Sequence, residues 1–450
     1  MLLRRPNGYR WLPSLPLGLL CGLLVVLLLA GGASRPDALG QAVVRSVAAL
    51  CLMLVVLFVE KPMRRIPKAP LLLLLIAMAL LICQLVPLPP DVWEALPGHA
   101  ILVDAITGPQ PWRPLSIQPG ATLNSLASLI VPVAVFALVV ATDIREDRKC
   151  LLTLLVLVAI STLIGLMQFS GVLLDNPLVN DSAGAVSGFF ANRNHFALFL
   201  ALGCLLAPVW AFEGGRRFSW RAPLGAGLVV VFYLLILASG SRAGVVLGIA
   251  GAAAGTFIAW PIIAQMMRRL PRWKRWLIGI GALVIVITCV ALSVVADRAQ
   301  SIDRLQLLLN GPEDMRTRGL PIVIEMIKHA FPAGAGFGTF DAMFRIYEPF
   351  SLLKLTYFNH AHNDFIEIVL DGGIVGALLL VAAVIWWLFT TIRIWRRRHS
   401  TDATFPKVGS ASLLLILLAS GFDYPARTPM FMAIVMLSAA WMVRTPKAEA

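Results

Sequence analysis

The chain has 450 residues, of which 59% are hydrophobic and only 14% are charged. Apolar residues at this density, with a mean hydropathy of +0.83, exclude a soluble globular domain and indicate a polytopic membrane protein. The formal net charge of +14 does not indicate a nucleic-acid-binding protein, because the basic residues stand in short clusters between apolar runs, as they do in cytoplasmic loops. The six cysteines contain no CxxC pair and offer no zinc site together with the histidines.

Twelve apolar segments predict an all-α fold of about twelve transmembrane helices, since a helix needs roughly 20 residues to cross a bilayer. The first segment also resembles a signal peptide. Further apolar segments with charged flanks follow it, so we interpret it as an uncleaved first span. The predicted spans are about 14–32, 42–59, 70–87, 122–141, 151–169, 193–212, 222–240, 243–264, 276–296, 365–391, 408–422 and 429–443.

The distribution of Lys and Arg predicts how these spans are oriented. With the N-terminus inside, the inner segments hold about twice as many basic residues as the outer segments, as the positive-inside rule requires. The strongest inner clusters are RRLPRWKRW at 268–276 and RIWRRRH at 393–399. Both termini are therefore predicted to be cytoplasmic.

Residues 88–121 form the first of two sizeable outer loops. This loop is rich in proline and tryptophan and contains a short amphipathic piece. We expect it to lie at the membrane interface, with Trp93 and Trp112 at the level of the lipid head groups.

Residues 297–364 form the second and larger outer loop, with helices predicted near 298–309 and 314–330. The GAGFG segment at 334–338 is predicted to be a flexible turn, because no βαβ unit surrounds it as a dinucleotide-binding loop would require. The chain thus divides into transmembrane helices 1–9 with the interface loop (1–296), the large outer loop (297–364) and transmembrane helices 10–12 (365–450).

A polar cluster stands where the large loop enters the tenth span, in FNHAHNDFIEIVLDGGIVG at 358–376. His360 and His362 are candidates for proton abstraction, since the unperturbed pKa of histidine suits that role near neutral pH. Glu367 and Asp371 lie one helical turn apart on one face. Carboxylates this close to a bilayer core usually face a protein interior or a water-filled cavity.

Arginines outside the inner clusters are candidates for binding phosphate, because the guanidinium fork matches phosphate oxygens. Arg242 lies in a tight outer turn with no acidic neighbour in sequence. Arg316 and Arg318 belong to the large loop, where pairing with nearby acidic residues is the alternative. Arg193, at the start of the sixth span, is a weaker candidate.

HNDFIEIVLDGGIVG resembles the signature of the O-antigen ligase/O-antigen polymerase superfamily, through His362, Asn363, Gly373 and Gly376. SGSRAG around Arg242, the loop helix with its Pro and Gly-x-Gly, and RPLSIQPGAT at 113–122 are similar to further motifs of that family. The resemblance covers roughly residues 113–385. The loop helix lacks the family's tryptophan and has Ile322–Val323–Ile324 instead, which leaves Arg316 and Arg318 as alternatives for the loop arginine.

The resemblance implies a metal-independent, cofactor-free inverting glycosyltransferase of the GT-C type in the bacterial inner membrane. It would transfer a glycan from undecaprenyl pyrophosphate to an acceptor hydroxyl on the periplasmic side. Arg242 and a loop arginine would then stabilise the leaving pyrophosphate, and His362 would be the base. Glu367, Asp371, His360 or Asn363 would orient the imidazole or serve as the base instead.

Several alternatives remain open at the level of sequence. A ligase, which we favour, would use lipid A–core as acceptor, whereas a polymerase would use another lipid-linked glycan. A protein O-oligosaccharyltransferase is a further possibility. A secondary transporter would need an internal repeat and charges near the bilayer midplane. The chain shows no such repeat and no mid-span charge apart from Arg45, which lies close to an outer end.

Overall fold

The computed structural model describes residues 13–59, 66–103, 108–174, 176–179, 185–213, 219–277, 279–281, 284, 287–288, 291–292, 315–353, 358–396 and 403–444. Three predictions lie wholly or mostly outside these residues: the ninth span, the helix near 298–309, and the acidic partners proposed for the loop arginines.

The described residues are almost wholly helical, and a helix occupies each predicted span other than the ninth, of which only some residues are described. Eight helical segments are long and apolar enough to cross a membrane, and three shorter helices in the described part are also apolar. The chain is thus a multi-pass membrane protein. Its helices are α1 (Leu15–Ala30), α2 (Leu39–Phe58), α3 (Lys68–Leu85), α4 (Pro90–Glu94), α5 (Ala100–Val103), α6 (Pro119–Ser128), α7 (Ile130–Ala141), α8 (Asp147–Phe169), α9 (Arg193–Phe212), α10 (Arg221–Ala238), α11 (Arg242–Arg268), α12 (Met315–Ala330), α13 (Phe340–Tyr347), α14 (Asp364–Arg396), α15 (Thr404–Ser420) and α16 (Pro429–Val443).

Helix α9 is the centre of the bundle. Every residue from His195 to Ala211 is buried, and the helix packs along α10 and α11 and against α8 and α15. Its sequence is apolar on all sides, which is typical of a helix enclosed by other helices. The surrounding helices expose many large apolar side chains on the outer surface, as expected of a surface that faces lipid.

Glycines in α11 bring this helix directly against the α9 backbone. A Cβ atom at Gly251 would lie 2.3 Å from the Ala201 carbonyl oxygen, and one at Gly255 would lie 2.3 Å from the Leu205 carbonyl oxygen. Small residues at such contacts let membrane helices approach closely. Because residue numbers rise along both helices from one contact to the next, α9 and α11 run in the same direction. Both helices therefore begin at one end of the bundle. The first residue of each helix is an arginine.

A hydrogen bond and an ion pair mark the opposite end of the bundle, which we call the terminal end. The Ser14 hydroxyl donates to the Glu146 carboxylate at 2.6 Å, and Arg444 forms an ion pair with Asp147. The start of α1 and the end of α16 therefore lie together. The starts of α9, α11 and α14 lie at the other end, which we call the site end.

Helix α14 bends at Gly373, whose φ of 57° and ψ of −145° are not helical. The Ile374 N–H donates to the Pro332 carbonyl oxygen at 2.9 Å instead of to a helical partner. A Cβ atom at Gly373 would lie 2.1 Å from the same oxygen, in a region of backbone conformation that residues with a Cβ rarely adopt. This glycine of the signature therefore lets the large loop dock on the bend.

The GAGFG segment at 334–338 is fixed against this bend. The Gly336 N–H donates to the Asp371 carbonyl oxygen at 2.9 Å, and the Gly338 N–H donates to the Asp371 carboxylate at 3.2 Å. The segment is a turn, as predicted, and these hydrogen bonds hold it against α14. Glycines at positive φ aim these backbone N–H groups at α14, and the absence of side chains allows the close approach.

The interface loop closes on itself through a two-residue antiparallel pairing of β1 (Pro87–Leu88) with β2 (Arg113–Pro114). Trp93 is enclosed by this pairing and is only 2% exposed; its indole N–H donates to the Pro114 carbonyl oxygen at 2.9 Å. Trp93 therefore packs inside the loop, whereas Trp112 is 64% exposed. A position at the level of the lipid head groups stays a prediction for both.

Candidate functional site

The polar residues of the signature lie at the site end, where five connections between helices converge. Polar side chains from each connection meet above the starts of α9, α11 and α14. The connections are residues 31–38, 185–192, 239–241, 358–363 and 421–428.

His362 and Asp423 form a histidine–carboxylate pair, with the His362 Nδ1 3.1 Å from the Asp423 Oδ1. An ionised carboxylate only accepts hydrogen bonds, so this contact requires the proton on Nδ1 and leaves Nε2 of a neutral imidazole as an acceptor. The Nε2 atom has no hydrogen-bond partner among the described residues, and the side chain is 17% exposed. Such an imidazole can take a proton from a bound hydroxyl.

Asn363 fixes the position of His362, which has a φ of 51°. This left-handed conformation is strained for a residue with a Cβ. The Asn363 Oδ1 accepts from the N–H groups of Phe365 and Ile366 and so caps α14. Its Nδ2 donates to the Gly421 carbonyl oxygen at 3.0 Å. Asn363 thus ties the histidine to the 421–428 connection.

Asp423 joins His362 to the starts of α9 and α11. Its Oδ2 accepts from the side-chain amides of Asn192 at 3.0 Å and Asn194 at 2.6 Å. The Asn194 Oδ1 in turn accepts from the Ser241 hydroxyl at 2.8 Å, and Ser241 caps α11. A continuous chain of hydrogen bonds therefore runs from the α11 N-terminus to the imidazole.

A cavity of about 290 Å³ lies at these two helix starts, and we call it the arginine cavity. Arg193 and Arg242 are the first residues of α9 and α11, so two helix N-termini and two guanidinium groups meet here. Helix N-termini and arginines both favour bound anions. The polar and charged residues of its lining are Arg193, Asn194, His195, Arg242 and Asp423.

Glu367 holds His360 rather than His362. The His360 Nδ1 lies 2.8 Å from the Glu367 Oε1, and its Nε2 lies 3.1 Å from the Ser34 hydroxyl. The Glu367 Oε2 accepts from the Ala361 N–H at 2.8 Å. Both nitrogens of His360 are therefore engaged, in contrast to those of His362.

Arg427 neutralises part of a buried cluster of three carboxylates on α14. Its guanidinium lies 3.6 Å from Asp364, 3.2 Å from Glu367 and 3.1 Å from Asp371. Burial disfavours the charged guanidinium, but the carboxylates outweigh burial and raise the Arg427 pKa above its usual range. Glu367 and Asp371 face the protein interior, as predicted. The orienting contact predicted for one of them is made by Asp423 instead, since both side chains turn towards Arg427.

Tyr424 fills the space between three histidines. Its ring centroid lies 5.0 Å from that of His195, 4.2 Å from that of His360 and 4.9 Å from that of His362. Burial and the neighbouring Asp423 raise the pKa of Tyr424 to about 12. The ring therefore stays neutral near pH 7 and separates the two histidine–carboxylate pairs.

The loop arginines differ from Arg193 and Arg242 in position. Arg318, on α12, donates to the Ser351 carbonyl oxygen at 3.2 Å within the large loop, and it does not line the arginine cavity. Arg316 lies in the first turn of α12, and its side chain lies outside the described residues. Of the three predicted arginines whose side chains are described, the structure brings Arg193 and Arg242 together.

A second cavity, of about 350 Å³, lies on the other side of the 421–428 connection, and we call it the Arg45 cavity. Its lining includes residues of α2, α3, α6 and the large loop. The lining residues with charged or polar side chains are Ser34, Arg35, Asp37, Gln41, Arg45, Gln118, Asn124, Ser125, Ser128, Asp341, Asn359, His360, Asp364 and Arg427.

No group of three His, Cys, Asp or Glu side chains in the described ranges is placed to hold a metal ion. The three carboxylates nearest to one another, on α14, contact the Arg427 guanidinium instead.

Sequence reasoning missed Asp423, Tyr424 and Arg427, which lie in FDYPAR between the last two spans. A signal was present, since an acidic and a basic residue interrupt two apolar runs at a predicted outer turn. The same criterion singled out Arg242. Short turns between spans are usually only connections, and local sequence does not tell which side chains they contact.

The model of the O-antigen ligase family matches residues 226–381. The matched segment contains Arg242, the loop arginines and the whole signature from His362 to Gly376. It ends before the 421–428 connection that completes the site. No curated protein matches the chain.

Proposed function

We propose, from the match of residues 226–381 to the O-antigen ligase family, that the chain transfers a glycan from undecaprenyl pyrophosphate to lipid A–core. The reaction takes place at the periplasmic face of the bacterial inner membrane, without a metal ion, and inverts the anomeric centre. The protein has about twelve transmembrane helices of the GT-C type, with both termini in the cytoplasm.

The donor pyrophosphate binds in the arginine cavity. Arg193 and Arg242 supply guanidinium forks, and the N-termini of α9 and α11 supply positive dipole ends. These groups stabilise the negative charge that develops on the leaving pyrophosphate, which is where electrostatic catalysis acts most strongly. Of the two loop arginines, Arg318 does not line this cavity, so Arg316 is the one that contributes from the large loop.

His362 acts as the base at its Nε2. The acceptor hydroxyl gives its proton to Nε2 while its oxygen attacks the anomeric carbon. The bond from that carbon to the pyrophosphate oxygen breaks, and its electron pair leaves with the pyrophosphate. Asp423 holds the imidazole through Nδ1 and stabilises the imidazolium that forms.

The observation that carries this proposal is the position of Asp423. Its carboxylate binds His362 on one side and the side chains of Asn192 and Asn194 on the other, and it lines the arginine cavity. One residue thus fixes the proposed base relative to the proposed leaving-group site. Catalysis by orientation needs such a fixed relation between the reacting groups.

A polymerase is the second candidate, because the matched family model is consistent with either activity. The proposed chemistry is the same, and only the acceptor differs. Ligase is favoured here, as it was from the sequence.

Purified protein in lipid nanodiscs tests the proposed function. We expect transfer of glycan from the lipid-linked donor to lipid A–core, together with release of undecaprenyl pyrophosphate. Transfer to a second lipid-linked repeat unit, with none to lipid A–core, would identify a polymerase. Movement of the donor across proteoliposome membranes without any transfer would contradict both and favour a transporter.

A further inference from the structure

Arg45 carries a charge that no carboxylate in the described part of the chain neutralises. It lies in α2, six residues or about 9 Å from the start of the helix. Its guanidinium donates to the Asn124 Oδ1 at 2.8 Å and to the Gln41 Oε1 at 3.3 Å. Both partners are neutral amides, and the Arg45 Nε is buried with no hydrogen-bond partner among the described residues. A charge within a membrane span is costly and usually has a counter-charge.

The other charged residues of the Arg45 cavity have partners of opposite sign. Arg35 pairs with Asp37, and Asp341 pairs with Arg345. Arg427 pairs with the carboxylates of α14, among them Asp364. The Arg427 guanidinium is already shared among these three acidic side chains, so it is not available to bind an anion. An anion would therefore lie at the Arg45 end.

Neutral polar groups line the rest of the cavity and suit sugar hydroxyls. Amide and hydroxyl side chains come from Gln118, Asn124, Ser125 and Asn359. Asp364 adds a carboxylate that can accept from hydroxyls. The lining thus offers a site for an anion at one end and for hydroxyls at the other.

The two cavities flank the 421–428 connection. Asp423 and Pro425 line the arginine cavity, whereas Ala426 and Arg427 line the Arg45 cavity. An inverting displacement requires the leaving group and the attacking hydroxyl on opposite sides of the anomeric carbon. His195 lines the arginine cavity and His360 lines the Arg45 cavity. The two cavities thus lie on either side of the segment that carries Asp423, the partner of His362, in keeping with this requirement.

We propose that the Arg45 cavity is the acceptor site and that Arg45 binds a phosphate of the acceptor's glycolipid head group. This inference rests on the proposed function, which places the donor pyrophosphate in the arginine cavity. The sugar hydroxyls of the acceptor lie towards Asn359 and Asp364, at the end of the cavity that is lined by the connection carrying His360.

Binding of the acceptor without donor tests this site, since no transfer can then occur. The probe is lipid A–core glycolipid, used either phosphorylated or after phosphatase treatment, and native mass spectrometry of the detergent-solubilised protein gives its apparent Kd. We expect Arg45→Gln to weaken binding of the phosphorylated probe about tenfold or more, as for loss of a charge-assisted hydrogen bond. We expect the affinity of Arg45→Lys for this probe to lie between those of Arg45→Gln and the wild type.

The matched control is Arg148→Gln, which removes an arginine at the terminal end that pairs with Glu213; its affinity should equal that of the wild type. The dephosphorylated probe should bind wild type and Arg45→Gln alike. Equal affinity of wild type and Arg45→Gln for the phosphorylated lipid A–core, and also for the lipid-linked probe described next, would overturn the proposal. So would equal weakening for both probes, because that pattern indicates general damage to the fold.

An undecaprenyl-pyrophosphate-linked repeat unit is the second probe, tested in an Arg242→Ala background to weaken donor-site binding. If Arg45→Gln weakens binding of this probe alone, the result would also support the phosphate site. It would identify the lipid carrier as the source of the phosphate. If Arg45→Gln weakens binding of neither probe, Arg45 does not bind the acceptor's phosphate. Failure of the wild type to transfer any glycan would instead contradict the proposed function, and the binding result would stand separately.

Discussion

The His362 imidazole and the Asp423 carboxylate lie 61 residues apart in the chain and meet at 3.1 Å between Nδ1 and Oδ1. Asp423 also accepts hydrogen bonds from two asparagines at the start of α9. The contact therefore connects the proposed base on the loop side of α14 with the proposed pyrophosphate site on α9 and α11.

Asp423→Asn should lower the rate of glycan transfer by about 10²–10⁴-fold, the range typical of general acid–base catalysis. The amide keeps the size of the side chain but cannot stabilise an imidazolium. Initial rates at saturating donor give the loss in kcat, and donor binding should change far less. Asp143→Asn at the terminal end is the matched control. A well-folded Asp423→Asn protein with near-normal kcat would remove Asp423 from the mechanism.

Arg242→Lys should impair transfer, because an ammonium keeps the charge but loses the bidentate fork. Arg242→Ala should lower the rate by about 10²–10³-fold, as for loss of one oxyanion-stabilising donor. Arg221, which lies over the Trp210 ring at 5.4 Å, provides the control variant Arg221→Lys. Near-normal transfer by a well-expressed Arg242→Ala protein would contradict the proposed pyrophosphate site.

Arg427→Gln should destabilise the fold by about 3–5 kcal/mol, because it leaves three buried carboxylates without their counter-charge. Thermal unfolding in detergent measures this as a lower Tm. Adding Asp371→Asn to Arg427→Gln should restore part of the loss, since it removes one of the unpaired charges. Arg148→Gln, which breaks an exposed ion pair, should lower the free energy of unfolding by no more than about 1 kcal/mol. An unchanged Tm for Arg427→Gln would show that the carboxylate cluster does not depend on this arginine.

Single cysteines in a cysteine-free background test the predicted orientation. Phe350, at the site end, is 92% exposed, and Lys149 lies at the terminal end in an exposed ion pair with Glu146. In intact spheroplasts, Phe350→Cys and Glu313→Cys should react with a membrane-impermeant thiol reagent. Lys149→Cys should react only after permeabilisation. The reverse pattern would place the site in the cytoplasm.

The sequence predicted the helices well because an apolar run of spanning length has few alternatives in a membrane protein. It also singled out the polar segment at 358–376 as the candidate site. It predicted that Glu367 and Asp371 face the interior and that Arg242 lies in a turn between two helices, away from the inner basic clusters. Each of these follows from spacing within one segment or from a charge that local sequence does not explain.

Contacts between distant segments could not be predicted in this way. The partner of His362 comes from a turn between the last two spans, and the partner of Gly373 comes from the large loop. The GAGFG segment illustrates the same limit. Glycine permits both flexibility and close backbone approach, and only the packing against α14 decides between them.

The glycolipid profile of a strain that carries His362→Ala shows whether His362 is the base of glycan transfer. We expect bare lipid A–core, with long glycans accumulating on undecaprenyl pyrophosphate, because the donor still binds while the base is lost. His360→Ala should have a smaller effect, since both nitrogens of His360 are already engaged. A core that carries a single repeat unit would identify a polymerase. Normal long-chain glycolipid in the His362→Ala strain would show that His362 is not the base of the reaction.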